Sequence, residues 1–140
     1  MSSQHADDTD CPVNLQEATH YVLGGARAGA VIAEQLHASG HRVAIVDDAY
    51  ASTVVPGLVG DPADPGVLAD AGVATASTVL VMTRSDRRNL LAAQLVRTRF
   101  DVPRIITLVH EPDRRSLFAD AGHEPVCMTT ILAEAVDERI

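Results

Sequence analysis

An α/β fold is predicted for this chain, with a doubly wound parallel sheet of about six strands in the order 3-2-1-4-5-6. Three observations carry the prediction. Apolar runs of strand length alternate with helix-period segments along most of the chain. A glycine-rich turn, Gly24-Gly25-Ala26-Arg27-Ala28-Gly29, directly follows the first apolar run. A paired acid, Asp47-Asp48, directly follows the second. Right-handed crossovers between parallel strands then cover both faces with helices.

The elements follow in order. Residues 1–17 lack periodicity, are rich in Asp, Ser and Gln, and read as a flexible acidic leader. The domain is expected over residues 18–140. His20 to Gly24 is a short buried strand, and Arg27 to Ser39 is helical, with Val31, Ile32 and Leu36 on one face and Gly40 past its end. Arg42 to Asp47 holds Val43-Ala44-Ile45-Val46, a strand buried on both faces. Val54-Val55 and Leu58-Val59 form a weak third strand, interrupted by Pro56-Gly57 and therefore placed at an edge. Asp64-Pro65 is an N-cap followed by proline at the first helical position, and Gly72 stops that helix. Thr78 to Thr83 is the fourth strand. Ser85 caps a long helix to Arg99 carrying Leu90, Leu91, Leu95 and Val96. Arg104 to Val109 is the fifth strand, a helix starts at Glu111-Pro112-Asp113 and stops at Gly122, and Pro125 to Cys127 with Thr129 to Glu138 give a last strand and helix. Leu68-Ala-Asp-Ala-Gly72 and Phe118-Ala-Asp-Ala-Gly122 repeat one solution to ending a helix.

Composition narrows the function. With 140 residues, 46% apolar but only 3% aromatic, one domain must fill its core with Ala, Val and Leu. The net charge of −8 repels phosphate backbones and argues against nucleic acid as a partner. No apolar run approaches the ~20 residues of a membrane helix, so direct membrane insertion is not expected. The two cysteines, Cys11 and Cys127, read as free thiols of a reducing compartment, and a cytoplasmic location is expected. All 11 basic residues are arginine. The absence of lysine excludes a Walker A lysine, a Schiff-base lysine and a Tyr-x-x-x-Lys pair. The six histidines show no metal-ligand spacing.

The candidate site gathers at strand ends, where a doubly wound sheet has its ligand crevice. Gly24, Gly25 and Gly29 allow a tight turn that brings backbone N–H groups and a helix N-terminus towards a pyrophosphate. Ala26 stands where the middle glycine of G-x-G-x-x-G is expected, and Ala28 completes the turn. Arg27 is placed to reach phosphate. Asp47, with Asp48 as the alternative, is the acid that accepts ribose hydroxyls. Gly60 and Asp61 end the third strand beside the base, and Thr83 and Arg84 end the fourth across the crevice. The pattern is that of a Rossmann-like nucleotide-binding unit with no assigned catalytic or metal residue.

Val22 to Gly29, Val43 to Asp48 and Leu58-Val59-Gly60-Asp61-Pro62-Ala63-Asp64 together resemble the N-terminal module of TrkA/KtrA-type potassium-transport regulators, the RCK N-terminal or TrkA-N domain. The likeness continues through Val67 to Val73, Val79 to Thr83 and Asp86-Arg87-Arg88-Asn89-Leu90-Leu91, and spans residues 19–138. It implies a non-catalytic domain that binds NAD(H), with ATP, ADP or AMP as alternatives. It also implies assembly into homodimers or larger rings that control a membrane potassium transporter or channel subunit from the inner face of the cell membrane. Carried over by position, Gly24, Arg27 and Gly29 match the phosphate loop, Asp47 the ribose acid, Asp61 the adenine-side acid and Thr83 the contact from the fourth strand. The C-terminal ligand-binding module common in the family has no counterpart in residues 19–138. Three other readings remain: a small NAD-dependent oxidoreductase, for which His110 is the one acid–base candidate, a methyltransferase-like domain, which would also place an acid after the second strand, and a nucleotide-free relative that only oligomerises.

Overall fold

The computed structural model describes residues 15–49 and 52–140. Six strands form one parallel sheet in the order β3-β2-β1-β4-β5-β6. They are β1 His20–Leu23, β2 Val43–Asp47, β3 Gly57–Val59, β4 Thr78–Val81, β5 Arg104–Val109 and β6 Glu124–Cys127. The helices are α1 Ala26–Ala38, α2 Pro65–Ala71, α3 Asp86–Phe100, α4 Arg115–Asp120 and α5 Met128–Arg139, with single 3-10 turns at Leu15–Glu17, Val73–Thr75 and Pro112–Arg114. The predicted fold class and strand order are those observed.

Each strand's alternation splits the core between two faces. Tyr21, Leu23, Ala44, Val46, Val79 and Val81 point to one face, where Leu68 and Ala71 of α2 and Ala92, Ala93 and Val96 of α3 cover them. Val22, Val43 and Ile45 point to the other, beneath Ala33 of α1 and Val55 of the β2–β3 connection. Every residue of β2 is buried, as a strand covered on both faces requires.

The start and stop signals are realised. The Asp64 carboxylate accepts the Gly66 N–H at 2.8 Å and the Val67 N–H at 3.4 Å, Ser85 Oγ accepts the Arg88 N–H at 3.2 Å, and Gly72 ends α2 in the left-handed region. Val54 and Val55 lie outside β3, which begins at Gly57. Pro56 has no N–H to give, but its carbonyl accepts from Ile45 N at 3.0 Å. The chain enters the edge strand there, while Val55 turns into the core, 1% exposed. Of the expected leader, residues 1–14 lie outside the described residues, Cys11 among them. Leu15–Glu17 make one 3-10 turn whose Leu15 carbonyl lies 2.7 Å from the Tyr21 hydroxyl. Burial pushes that phenol up to about 12.

His123, between α4 and β6, is buried with no partner for either ring nitrogen. Burial, and secondarily the Arg97 guanidinium, hold it below the usual imidazole range. The unfolded chain binds the proton more readily, so the contribution of His123 is complete above about pH 6.5 and is lost as the pH falls below it. Melting temperature is expected to drop from pH 7.5 to 5.5, and His123→Phe to flatten part of that slope. An unchanged slope in the variant, followed by circular dichroism, would mean that other groups carry it.

Candidate functional site

The site begins where β1 runs out. Gly24 and Gly25 take φ of +82° and +92°, and Ala26 follows at +48°. Three consecutive residues in the left-handed region reverse the chain within one step of the strand, and α1 starts immediately. Two of the three are free of strain because they lack a Cβ, whereas Ala26 bears a penalty of roughly 1 kcal/mol or more. Its backbone N–H donates to Asp47 Oδ2 at 2.7 Å, which holds it in place. The departure from glycine at this position is thus a matter of backbone conformation, bound into the site by the acid at the end of β2.

The other glycines are fixed by contact. A Cβ on Gly29 would run into the Gly24 carbonyl oxygen, one on Gly24 would come within 2.7 Å of Thr83 Cγ2, and one on Gly25 within 2.9 Å of Met82. The turn therefore packs directly on α1 and on the end of β4. Gly60 serves packing too: its N–H donates to the Asp47 carbonyl at 3.1 Å, and a Cβ there would meet Val67 at 2.8 Å.

Asp47 is buried, 6% exposed, and its second oxygen accepts the Ala49 N–H at 2.8 Å. Each carboxylate oxygen keeps a further lone pair for a hydroxyl donor. Asp48 is exposed. Asp61 is held below the usual carboxylate range, first by the Ala63 N–H and then by Arg88. The Ala63 bond is 2.8 Å long, and Arg88 Nη2 lies 2.7 Å from Asp61 Oδ1 and 3.7 Å from Asp48 Oδ2. Arg88 sits in the first turn of α3, so this one side chain reaches across the crevice to the ends of β2 and β3.

Thr83 is buried at the end of β4 and fully bonded. Its N–H and hydroxyl lie 2.8 and 2.6 Å from Asn89 Oδ1, and Asn89 Nδ2 donates to the carbonyls of Thr83 and Leu108 at 3.1 and 3.0 Å. Asp86, 5% exposed, accepts the N–H groups of His110 and Glu111 at 2.8 and 3.1 Å. Asn89 and Asp86 thereby lock the β4 and β5 ends together. Sequence reasoning left both out of the site, although two polar residues on the buried side of a helix's first turn are a signal that they bond inward.

A hollow of about 170 Å³ is lined by Gly24, Gly25, Ala26, Asp47, Asp48, Pro62, Thr83, Arg84 and Arg88. Seven of these nine were expected from the sequence; Pro62 and Arg88 were not. Arg84 also lines an adjoining polar hollow of about 360 Å³ with Ser85, Asp86, His110, Glu111, Asp113 and Arg114. The crevice thus runs from the glycine turn along the strand ends to β5. Arg27 lines a further hollow that adjoins the first at Ala26 and runs along α1 past Ala30, Val31 and Glu34 to Ala49, and Ala28 is exposed. A larger apolar cavity, about 440 Å³, lies on the sheet face among Ile32, Leu36, Leu80, Met82, Ile106, Leu108 and Val126. Its polar lining, His20, His41, Thr78 and Arg104, stands at the N-terminal ends of the strands, away from the carboxyl edge where a doubly wound sheet binds its ligands, which is why the crevice is the candidate site. Among the described residues no cluster of His, Cys, Asp and Glu could hold a metal ion, and no helix is long and apolar enough to cross a membrane.

Residues 21–129 match the TrkA-N domain. The chain belongs to the TrkA-N domain family. A Trk system potassium uptake protein TrkA homolog of Methanothermobacter thermautotrophicus is 31% identical over 112 residues, covering 75% of this chain and 51% of that protein. TrkA of Mycobacterium tuberculosis is 26% identical over 127 residues, covering 85% of this chain and 58% of the relative. The TrkA-N chain therefore spans about half the length of these curated relatives. Among solved structures, the GsuK channel bound to NAD superposes with a TM-score of 0.70 at 27% identity, over 82% of this chain and 22% of that one. GsuK bound to ADP gives 0.72 at 25% identity, over 86% of this chain and 34% of that one.

Proposed function

We propose that this chain is the nucleotide-binding module of a non-catalytic regulator that controls potassium uptake or a potassium channel. The single observation that carries the reading is the strand-end crevice, which puts a glycine turn, a helix N-terminus and a buried acid with spare lone pairs around one hollow. NAD(H) is the ligand the arrangement fits first, with ADP, ATP or AMP as alternatives. Asp47 takes the ribose hydroxyls, the turn takes the pyrophosphate, and Arg84 stands between the two halves of the crevice. The GsuK structures with NAD and with ADP, and the potassium-uptake relatives, support both ligand class and role. The proposed location is cytoplasmic, at the inner face of the membrane through a transporter or channel subunit.

The chemistry of the crevice argues against hydride transfer. His110, the acid–base candidate, has Nε2 2.9 Å from the Thr83 carbonyl, an acceptor, so that nitrogen carries its proton into a structural bond. The test is thermal shift with NADH, NAD, ADP and ATP. A ligand at 100 times its dissociation constant adds ~2.7 kcal/mol, and melting temperature is expected to rise with at least one of them. No shift with any at millimolar concentration would leave the nucleotide-free reading, and substrate-dependent NADH oxidation would sink the non-catalytic one.

Self-association belongs to the same proposal. Helix α5 buries none of its residues, and Met128, Leu132 and Val136 recur every four positions, each 41–56% exposed. Exposed apolar surface of this kind marks a protein–protein contact. Leu132→Asp with Val136→Asp is expected to convert an oligomer to monomer in light scattering while leaving the fold intact; a wild-type monomer at all concentrations would refute it.

A further inference from the structure

The nucleotide reading gives Arg88 of the crevice no role. Arg88 extends from the first turn of α3 and meets two carboxylates, Asp61 at 2.7 Å and Asp48 at 3.7 Å, on the far side of the glycine turn. Arg88 also lines the hollow that Gly24, Gly25 and Ala26 line, so a phosphate seated on the turn shares that space with it. That space, about 170 Å³, is below the ~300 Å³ at which ligand pockets begin. The side chains of Arg88, Asp48 and Asp61 are 42%, 59% and 53% exposed, and ion pairs in such surroundings are weak. A phosphate offers the guanidinium a bidentate, charge-assisted partner in place of one close contact to Asp61 and a longer one to Asp48. Three acids, Asp47, Asp48 and Asp61, also surround the adenosine end, so an anionic ligand needs a cation released towards it.

We propose that Arg88 selects phosphate-bearing ligands at this crevice, exchanging Asp61 and Asp48 for a nucleotide phosphate as the ligand enters. This rests on the nucleotide-binding reading and gives it a residue that sets specificity. Arg88 acts as a strap between α3 and the ends of β2 and β3. Adenosine has no anion with which to draw it off, whereas ADP does. Asp61 is then a competitor of the ligand for the guanidinium.

Calorimetric titration of the full chain with ADP and with adenosine tests this. Arg88→Ala and the longer Arg88→Gln are expected to lower ADP affinity about tenfold, the effect of losing one charge-assisted bond, and to leave adenosine affinity equal or tighter. Asp61→Asn keeps the acceptor for Ala63 but removes the competing charge, and is expected to raise ADP affinity several-fold. Opposite signs for Arg88→Ala and Asp61→Asn would support the exchange. Equal losses of ADP and adenosine in the Arg88 variants, or a fall in ADP affinity with Asp61→Asn, would overturn it. Wild-type chain that binds neither ligand refutes the nucleotide reading and this proposal with it. Wild-type chain that binds ADP no better than Arg88→Ala refutes this proposal alone.

Discussion

Gly29→Ala is expected to destabilise the domain by about 2 kcal/mol and to abolish binding at the crevice. In the interior of α1 alanine is intrinsically favoured over glycine by roughly 1 kcal/mol, so any loss must come from tertiary contact. That contact is backbone against backbone: the added methyl strikes the carbonyl oxygen of Gly24. Neither partner is a flexible side chain that can swing away, so α1 must lift from the turn. The lift also carries the Ala26 N–H away from Asp47. Overpacking typically costs 1–3 kcal/mol, and a clash between two backbones lies at the upper end; the roughly 1 kcal/mol of helix propensity gained by alanine offsets part of it and leaves a net loss of about 2 kcal/mol. Gly40→Ala is the control. It has a φ of +99° but nothing within 4 Å of its Cβ, so it should lose only the ~1 kcal/mol of left-handed strain. Urea denaturation of the two variants separates packing from conformation, and equal losses would contradict the assigned contact.

Asn89→Leu is expected to have an effect of similar size for a different reason. Asn89 is fully buried and all of its polar capacity faces the ends of β4 and β5. Leucine fills the volume but leaves the Thr83 N–H and the Leu108 carbonyl without the partners they had. Each buried group orphaned in this way costs about 1–3 kcal/mol, so a loss of roughly 3 kcal/mol is expected, against the 5–15 kcal/mol that holds a typical domain. For a domain of this size it corresponds to a fall of very roughly 10 °C in melting temperature. Gln94→Leu, exposed on the same helix, should stay within about 0.5 kcal/mol. If Asn89→Leu melts with the wild type, the lock between the strand ends is not made by this side chain.

Much of the fold was legible because its signals are local. A buried parallel strand announces itself as Val-Ala-Ile-Val, and a helix start as Asp64-Pro65 or Ser85, because these residues satisfy needs within a few positions of themselves. The boundaries that shifted lie where a local rule met a long-range one. Val54-Val55 have strand character, yet Pro56 settles the start of β3 and the core claims Val55. The crevice was legible in part for the same reason: turn glycines and acids at strand ends are tied to sequence order. Arg27 was expected to face phosphate because it follows the turn. It lines the hollow shared by Ala26 of the turn, Glu34 and Ala49; a step of one residue along a helix rotates a side chain by about 100°, so sequence order alone does not say which side of the turn it takes.

The sequence by itself determined the alternation of strands and helices, the order in which the sheet is wound, and the glycine turn and acids placed at its carboxyl edge. Only the tertiary structure decided which of these groups meet. Asp47 binds Ala26 from 21 residues away, Arg88 reaches Asp61 across 27, and Asn89 joins β4 to the Leu108 carbonyl on β5. Local propensity and hydrophobic period act over one or two turns of chain. A hydrogen bond between the ends of separate strands depends on how the sheet twists and where each helix begins, which no stretch of sequence specifies alone.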